Sequence, residues 1–213
     1  MAQIDHLVVA ARDLASGTRW LEDKLGARLA PGGVHAAMGT HNRLLRLDGR
    51  PNLYLELIAI DPDAAPPTRT RWFGLDDPAL QSRLTERPHL IHWVARSDDL
   101  AHDATPAHGD ILSMQRGDYR WRITVPTDGQ APGAGLVPTL IQWDVPIHPA
   151  EYLSASGCTL MKLEGFHPAP ATISTALTEL GLASDLALFP VEPDEPAQLV
   201  AYLKTPRGLV ELD

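Results

Sequence analysis

The chain of 213 residues contains a single cysteine, Cys158. No internal disulfide and no thiolate zinc site can therefore be built, and a reducing cytoplasm is the expected compartment. Cys158 itself reads as a small packed residue. Long apolar runs are missing too. No stretch approaches the eighteen or so apolar residues of a membrane span, and "MAQIDHLVV" lacks the basic start of a signal peptide. Positive charge is scarce, with 18 Lys and Arg against 27 Asp and Glu, a net charge of −9. This excludes nucleic acid or an anionic membrane as the main partner. It leaves a small anionic substrate open, because arginines at 116, 120 and 122 can form a local cluster against the global sign. Catalytic signatures are absent as well: no P-loop, no Gly-x-Ser-x-Gly elbow and no helical His-Glu-x-x-His.

What is present is enough apolar material for a core, 44% of residues, arranged in short strand-like runs. "IDHLVVAA" (4–11) reads as a buried strand. Leu14, Trp20, Leu21 and Leu25 follow at helical spacing, with Asp13 as cap and Gly26 as stop. "NRLLRL" and "LYLELIAI" (53–60) read as further strands around the turn "DGRPN". After residue 88 the pattern repeats. His6 lies eight residues before Leu14, and His92 eight before Leu100. "RGDYRWRITVP" follows the pattern of "GTHNRLLRLDG", and "PTLIQWD" that of "LYLELIA". His6 to Glu56 and His92 to Gln142 both span 50 residues, so a duplicated unit explains both landmarks. The expected units are 1–62, 88–148 and a third of βαββ type at 156–213, all within one compact domain.

Tandem βαβββ units opening on "IDHLVVAARDL" and "HLIHWVARSDDL" resemble the vicinal oxygen chelate superfamily, in particular its glyoxalase-like domain branch. "GGVHAAMGTHNRLLRL", "YLELIAIDP", "GDYRWRITVP", "TLIQWD", "FHPAP" and "TPRGLVELD" carry the same resemblance. It implies an α+β fold in which paired modules curl into an incomplete barrel around a cleft. It also implies four metal-ligand positions, which fall here on His6, Glu56, His92 and Gln142. Many such proteins use a divalent metal to chelate neighbouring substrate oxygens; others have lost it and only bind a small molecule.

The residues can be weighed without the resemblance. Alternate side chains of a strand share a face, so each of these four sits among apolar neighbours, where burial is costly unless the group is paired or coordinated. A divalent ion would offset that cost, and two His with Glu and Gln suit Zn, Ni, Mn or Fe alike. The structural alternative is pairing with Arg or backbone groups. Glu56 is the candidate catalytic group, in a metal-dependent enzyme of lyase, isomerase or dioxygenase type. A metal-free binding protein on the same fold is the rival. The expected partner is a small-molecule substrate, with a second copy of the chain as a further candidate.

Around the candidate centre, His35, His41, Asn42, Arg120 and Arg122 are the substrate-binding candidates. Alternation lets only one of His41 and Asn42 face the cleft if their strand is regular, although Gly39 suggests a bulge or a close backbone approach. If Trp121 packs in the core, Arg120 and Arg122 face solvent. Trp93 and Trp143 alternate with His92 and Gln142 and are expected on the outer face. His148 is expected in a loop.

Overall fold

A computed structural model describes residues 2–213. The first module runs β1 (Gln3–Ala10), α1 (Leu14–Leu25), β2 (Ala30–His35), β3 (Thr40–Arg46) and β4 (Tyr54–Ile60). Asp13 caps α1 by accepting from the Ser16 N–H at 2.8 Å, and Gly26 closes it in the left-handed region at φ 69°. Both roles follow from residue type: a short carboxylate satisfies an orphan amide, and glycine tolerates positive φ. After a long connection, α2 (Pro78–Leu84), which no sequence expectation covered, precedes the second module. That module consists of β5 (His89–Arg96), α3 (Leu100–Asp103), β6 (Asp110–Arg116), β7 (Tyr119–Val125) and β8 (Thr139–Trp143).

The two modules share one curled sheet in the order β2-β3-β4-β1-β5-β8-β7-β6. Its centre is the antiparallel β1–β5 pair, flanked by parallel β4 and β8. The central register is symmetric between the modules: His6 faces Val94 and Val8 faces His92. Exchanging the modules maps this pairing onto itself, so His92 is the counterpart of His6.

Alternation divides the sheet into two faces. Val8, Ala10, Ile58, Val94, Trp121, Ile123 and Ile141 point inward, under a lid formed by Trp72, Phe73 and Leu75. Leu7, Val9, Leu55, Leu57, Trp93, Ala95 and Leu140 point outward into the larger core, with Leu21 and Leu25 of α1.

The outer face explains the third unit. In module one α1 covers it. In module two the matching helix has only four residues, since Pro106 follows and an X-Pro step disfavours helix before it. The C-terminal unit fills that gap. It comprises β9 (Thr159–His167), α4 (Pro170–Glu179), β10 (Ala187–Pro190), β11 (Gln198–Thr205) and β12 (Gly208–Leu212). Leu160, Leu163, Leu199 and Leu203 of its sheet and Ile173 and Leu177 of α4 join the same core as Trp93. Its strand order, β10-β9-β11-β12, differs from that of the other modules, with β10 parallel to β9. No helix among the described residues is long and apolar enough to cross a membrane.

The packing of α1 depends on one glycine. A Cβ on Gly17 would lie 2.5 Å from the Ala11 Cβ and 3.3 Å from Leu57. Gly17→Ala is expected to push α1 off the sheet and lower stability by about 1–3 kcal/mol, the usual range for overpacking, as measured by urea unfolding.

Candidate functional site

The opening between the curled sheet and its lid is lined by His6, His35, Asn42, Tyr54, Glu56, Trp72, Phe73, Arg116, Trp121, Ile123, Ile141 and Trp143. Its cavity is small, about 30 Å³. Behind this lining lies Asp5, fully buried beside His6. One carboxylate oxygen accepts from His6 Nδ1 at 2.7 Å. The other accepts from Trp143 Nε1 and from His148 Nε2, both at 3.0 Å. Burial pushes the Asp5 pKa up, but the bonds from His148 and His6 more than offset this and hold it well below the usual carboxylate range. Asp5 therefore stays ionised inside the protein.

These bonds also set the tautomers. His148 Nδ1 accepts from the Ala150 N–H, so its Nε2 carries the proton that Asp5 receives. His6 donates a hydrogen bond from Nδ1–H to Asp5, which leaves Nε2 as the ring nitrogen facing the pocket, 3.8 Å from Glu56 Oε2. Tyr54 stacks on the same imidazole, with ring centroids 4.6 Å apart. Carboxylate-oriented histidines of this kind occur in metal centres and in acid–base dyads alike.

Glu56 is held from the other side. Asn42 Nδ2 donates to its Oε1 at 2.5 Å, and Asn42 Oδ1 accepts from the Gly33 N–H at 2.8 Å and from Arg116 Nη1 at 3.1 Å. Asn42 thus spends its amide on protein groups and positions Glu56 and Arg116 together. Gly32 permits this, since a Cβ there would sit 2.0 Å from Asn42 Oδ1. His35 is buried, and burial pushes its pKa down to about 4. It pairs with the Thr40 hydroxyl at 3.1 Å and packs edge-on against Trp72 and Trp121. Gly39, at φ 57°, forms the turn between β2 and β3 rather than a bulge.

The structure brings His6, Glu56, Asn42 and His35 together, and it separates the other candidates from them. His92 lies on the inner face but is spent. Its Nδ1 donates to the Gly135 carbonyl at 3.1 Å, and its Nε2 accepts from the Thr139 N–H at 3.0 Å and the Thr139 hydroxyl at 2.9 Å. Phe73 packs on its ring at 5.3 Å. Gln142 faces the other way: it accepts from the Leu100 N–H and donates to the Asp98 carbonyl, tying down α3. By register the counterpart of Glu56 is Thr139. Glu56 pairs with Val8 and Thr139 with Val94, and those two valines are themselves counterparts.

Three further corrections follow from strand faces. His41 points away from the pocket, with Asp61 3.9 Å from its Nδ1, while Asn42 points in. Trp121 is buried, which leaves Arg120 exposed and Arg122 paired with Asp144 at 2.9 Å. Trp143 lines the pocket, not the outer face.

The expected four-ligand set does not assemble. Among the described residues no three His, Cys, Asp or Glu side chains are grouped to hold a metal. His6 Nε2 and Glu56 form a pair, whereas protein zinc sites normally supply three or four ligands. The donors present do not fit a resident divalent ion.

His92 is thus a structural histidine, buried and neutral. Burial pushes its pKa down to about 3 from 6.5. For a group whose folded pKa is depressed, stability is full above the unfolded pKa and falls as pH drops below it. Between pH 6.5 and about 4, His92 and His35 should each remove up to about 1.4 kcal/mol per pH unit. Chemical denaturation across that range checks the slope. His92→Ala should flatten it and lower stability at pH 7.5 by about 2–4 kcal/mol, by leaving the Thr139 and Gly135 groups unpaired.

The family model described as glyoxalase-like domain matches residues 4–181. No protein with a curated description matches the sequence. A hypothetical protein from Staphylococcus aureus shares the fold, with a TM-score of 0.57 at 13% identity over 99% of this chain and 84% of that one. Methylmalonyl-CoA epimerase from Mycobacterium tuberculosis is more distant, with a TM-score of 0.40 at 19% identity over 66% of this chain and 85% of that one. The Streptomyces coelicolor epimerase in complex with 2-nitronate-propionyl-CoA gives 0.42 at 20% identity, over 67% and 98%.

Proposed function

The chain belongs to the glyoxalase-like domain family, and from that premise we propose that it is an enzyme moving a proton on a small oxygen-rich molecule. Its chemistry would be of the lyase or isomerase kind. The observation that carries this reading is the pair Glu56 and His6, 3.8 Å apart, each fixed from behind by a buried partner. Glu56 Oε2 takes a proton from a carbon next to a substrate carbonyl. Charge then develops on the carbonyl oxygen at the mouth, where the Arg116 guanidinium lies. The proton returns from Glu56, directly or through His6 Nε2. Asp5 keeps the imidazole in the required tautomer and orientation, as a buried carboxylate does for a catalytic histidine. Trp72, Phe73, Trp121 and Trp143 exclude water, which strengthens each of these interactions.

A divalent ion would find two protein ligands here, His6 Nε2 and Glu56, and no step of this reaction depends on one. Protein purified without chelators is therefore expected to carry well below one equivalent of divalent metal per chain. Added Zn, Ni, Mn or Fe should leave its melting temperature unchanged. One bound ion per chain with a raised melting temperature would restore the metal-dependent reading.

The proton-transfer step is tested by NMR in D₂O with a panel of 2-oxo acids and hydroxyketones. Deuterium is expected to enter the carbon beside the carbonyl of at least one compound. Glu56→Gln should lower that rate about 100-fold or more, the usual effect of losing a general base. Binding of a panel member without any exchange would instead favour a binding protein that catalyses nothing.

A further inference from the structure

Arg116 stands where the pocket meets a second, open groove. It lines the pocket with His6 and Glu56, and it also lines a groove formed by Pro31, Leu44, Ile147, Pro149, Tyr152 and Leu153. Arg69, Arg71 and Arg122 each pair with a carboxylate. Arg116 has none within 4.0 Å among the described residues. Its Nη1 instead touches Asn42 Oδ1, and its guanidinium lies over the Tyr119 ring at 5.7 Å. The guanidinium is thus braced by neutral groups and keeps further donors toward the opening.

The surroundings are built for that pose. Strand β2 is irregular between Pro31 and Val34, and its two glycines lie flat where side chains would intrude. A Cβ on Gly33 would sit 2.5 Å from Arg116 Cδ. A half-buried arginine fork facing an opening suits a planar carboxylate bound through two parallel hydrogen bonds. Beyond it the groove walls are mostly apolar, with Asp118 as the one carboxylate among them.

We infer that the ligand is a carboxylate with an apolar tail: Arg116 clamps the carboxylate at the junction, and the tail lies in the groove between β2 and residues 147–153. This deepens the proton-transfer reading and rests on it for the identity of the site. With the carboxylate clamped at the junction, the 2-oxo group and C3 lie at the pocket mouth toward Glu56 and His6, and the chain beyond C3 turns back into the groove. Excess negative charge on the protein does not oppose this, because the carboxylate meets Arg116 before it meets Glu56, whose Oε1 is already occupied by Asn42.

Calorimetric titration with straight-chain 2-oxo acids, from pyruvate to 2-oxodecanoate, tests the inference. Affinity should rise about three- to fourfold per added methylene, as expected for apolar burial, until the groove is filled. The matching 2-oxo amides should bind at least about tenfold more weakly. Arg116→Gln should weaken acid binding by about tenfold or more, the usual loss of a charged hydrogen bond, and leave amide binding nearly unchanged. Glu56→Gln should keep both the chain-length trend and the preference for acids. Equal binding of acids and amides, affinity independent of chain length, or no effect of Arg116→Gln would each overturn the inference, as would a series in which nothing binds. These readouts need no turnover. An acid series that binds as expected but exchanges no deuterium would sink the proton-transfer reading and leave the carboxylate clamp standing.

Discussion

The site depends on one buried charge. Asp5 lies with no exposed surface at the centre of the curled sheet, and an ionised carboxylate is tolerated there only because three N–H groups point at it. Those donors come from three places in the chain: His6 on the same strand, Trp143 at the end of β8, and His148 in the segment after it. Satisfying Asp5 therefore brings module two's last strand and the 147–153 segment against module one's first. The same segment forms one wall of the groove beside Arg116. One carboxylate thus orients the imidazole and fixes the shape of the opening around it.

Much of this was legible in the sequence. The repeated His followed eight residues later by Leu identified true counterparts, and the register of β1 against β5 agrees. Alternation on β3 allows one of His41 and Asn42 inward without choosing between them, and Asn42 is the one that lines the pocket. Glu56 and Gln142 are not counterparts, because equal spacing is not equal position. The whole path from His92 to its partner position on β8 is three residues shorter than that from His6 to Glu56, so the counterpart of Glu56 is Thr139 and not Gln142. That slip had a second consequence. With Gln142 turned inward, Trp143 had to face outward, whereas it is Trp143 that donates to Asp5. In a strand, an odd-numbered slip exchanges the two faces entirely.

Asp5 was visible in "IDH" but carried no periodic signal. Its neighbour in sequence was the obvious candidate, and nothing in one dimension shows that three donors converge on it from far along the chain. Arg116 was read only as part of a cluster with Arg120 and Arg122. Separating it from them requires knowing that it ends β6, on the other side of a hairpin turn, opposite the glycines of β2.

The duplication gives two positions for a buried histidine with an acid beside it, and the chain treats them differently. In module one the acid is retained, and Asn42, Gly33 and Arg116 gather to hold it. In module two threonine takes its place, so the histidine closes on neutral groups and Phe73 seals the ring from the pocket. Burial of a charge demands partners, whereas burial of a neutral hydroxyl demands only a hydrogen bond. Module two accordingly needs no arginine and no asparagine at that position, and it can be packed solid. Module one cannot, because its carboxylate keeps one oxygen, and its histidine one nitrogen, facing the opening. The asymmetry of the pocket thus follows from a single exchange of side chains between equivalent strand positions, and the reactive groups are concentrated on the module that kept the charge.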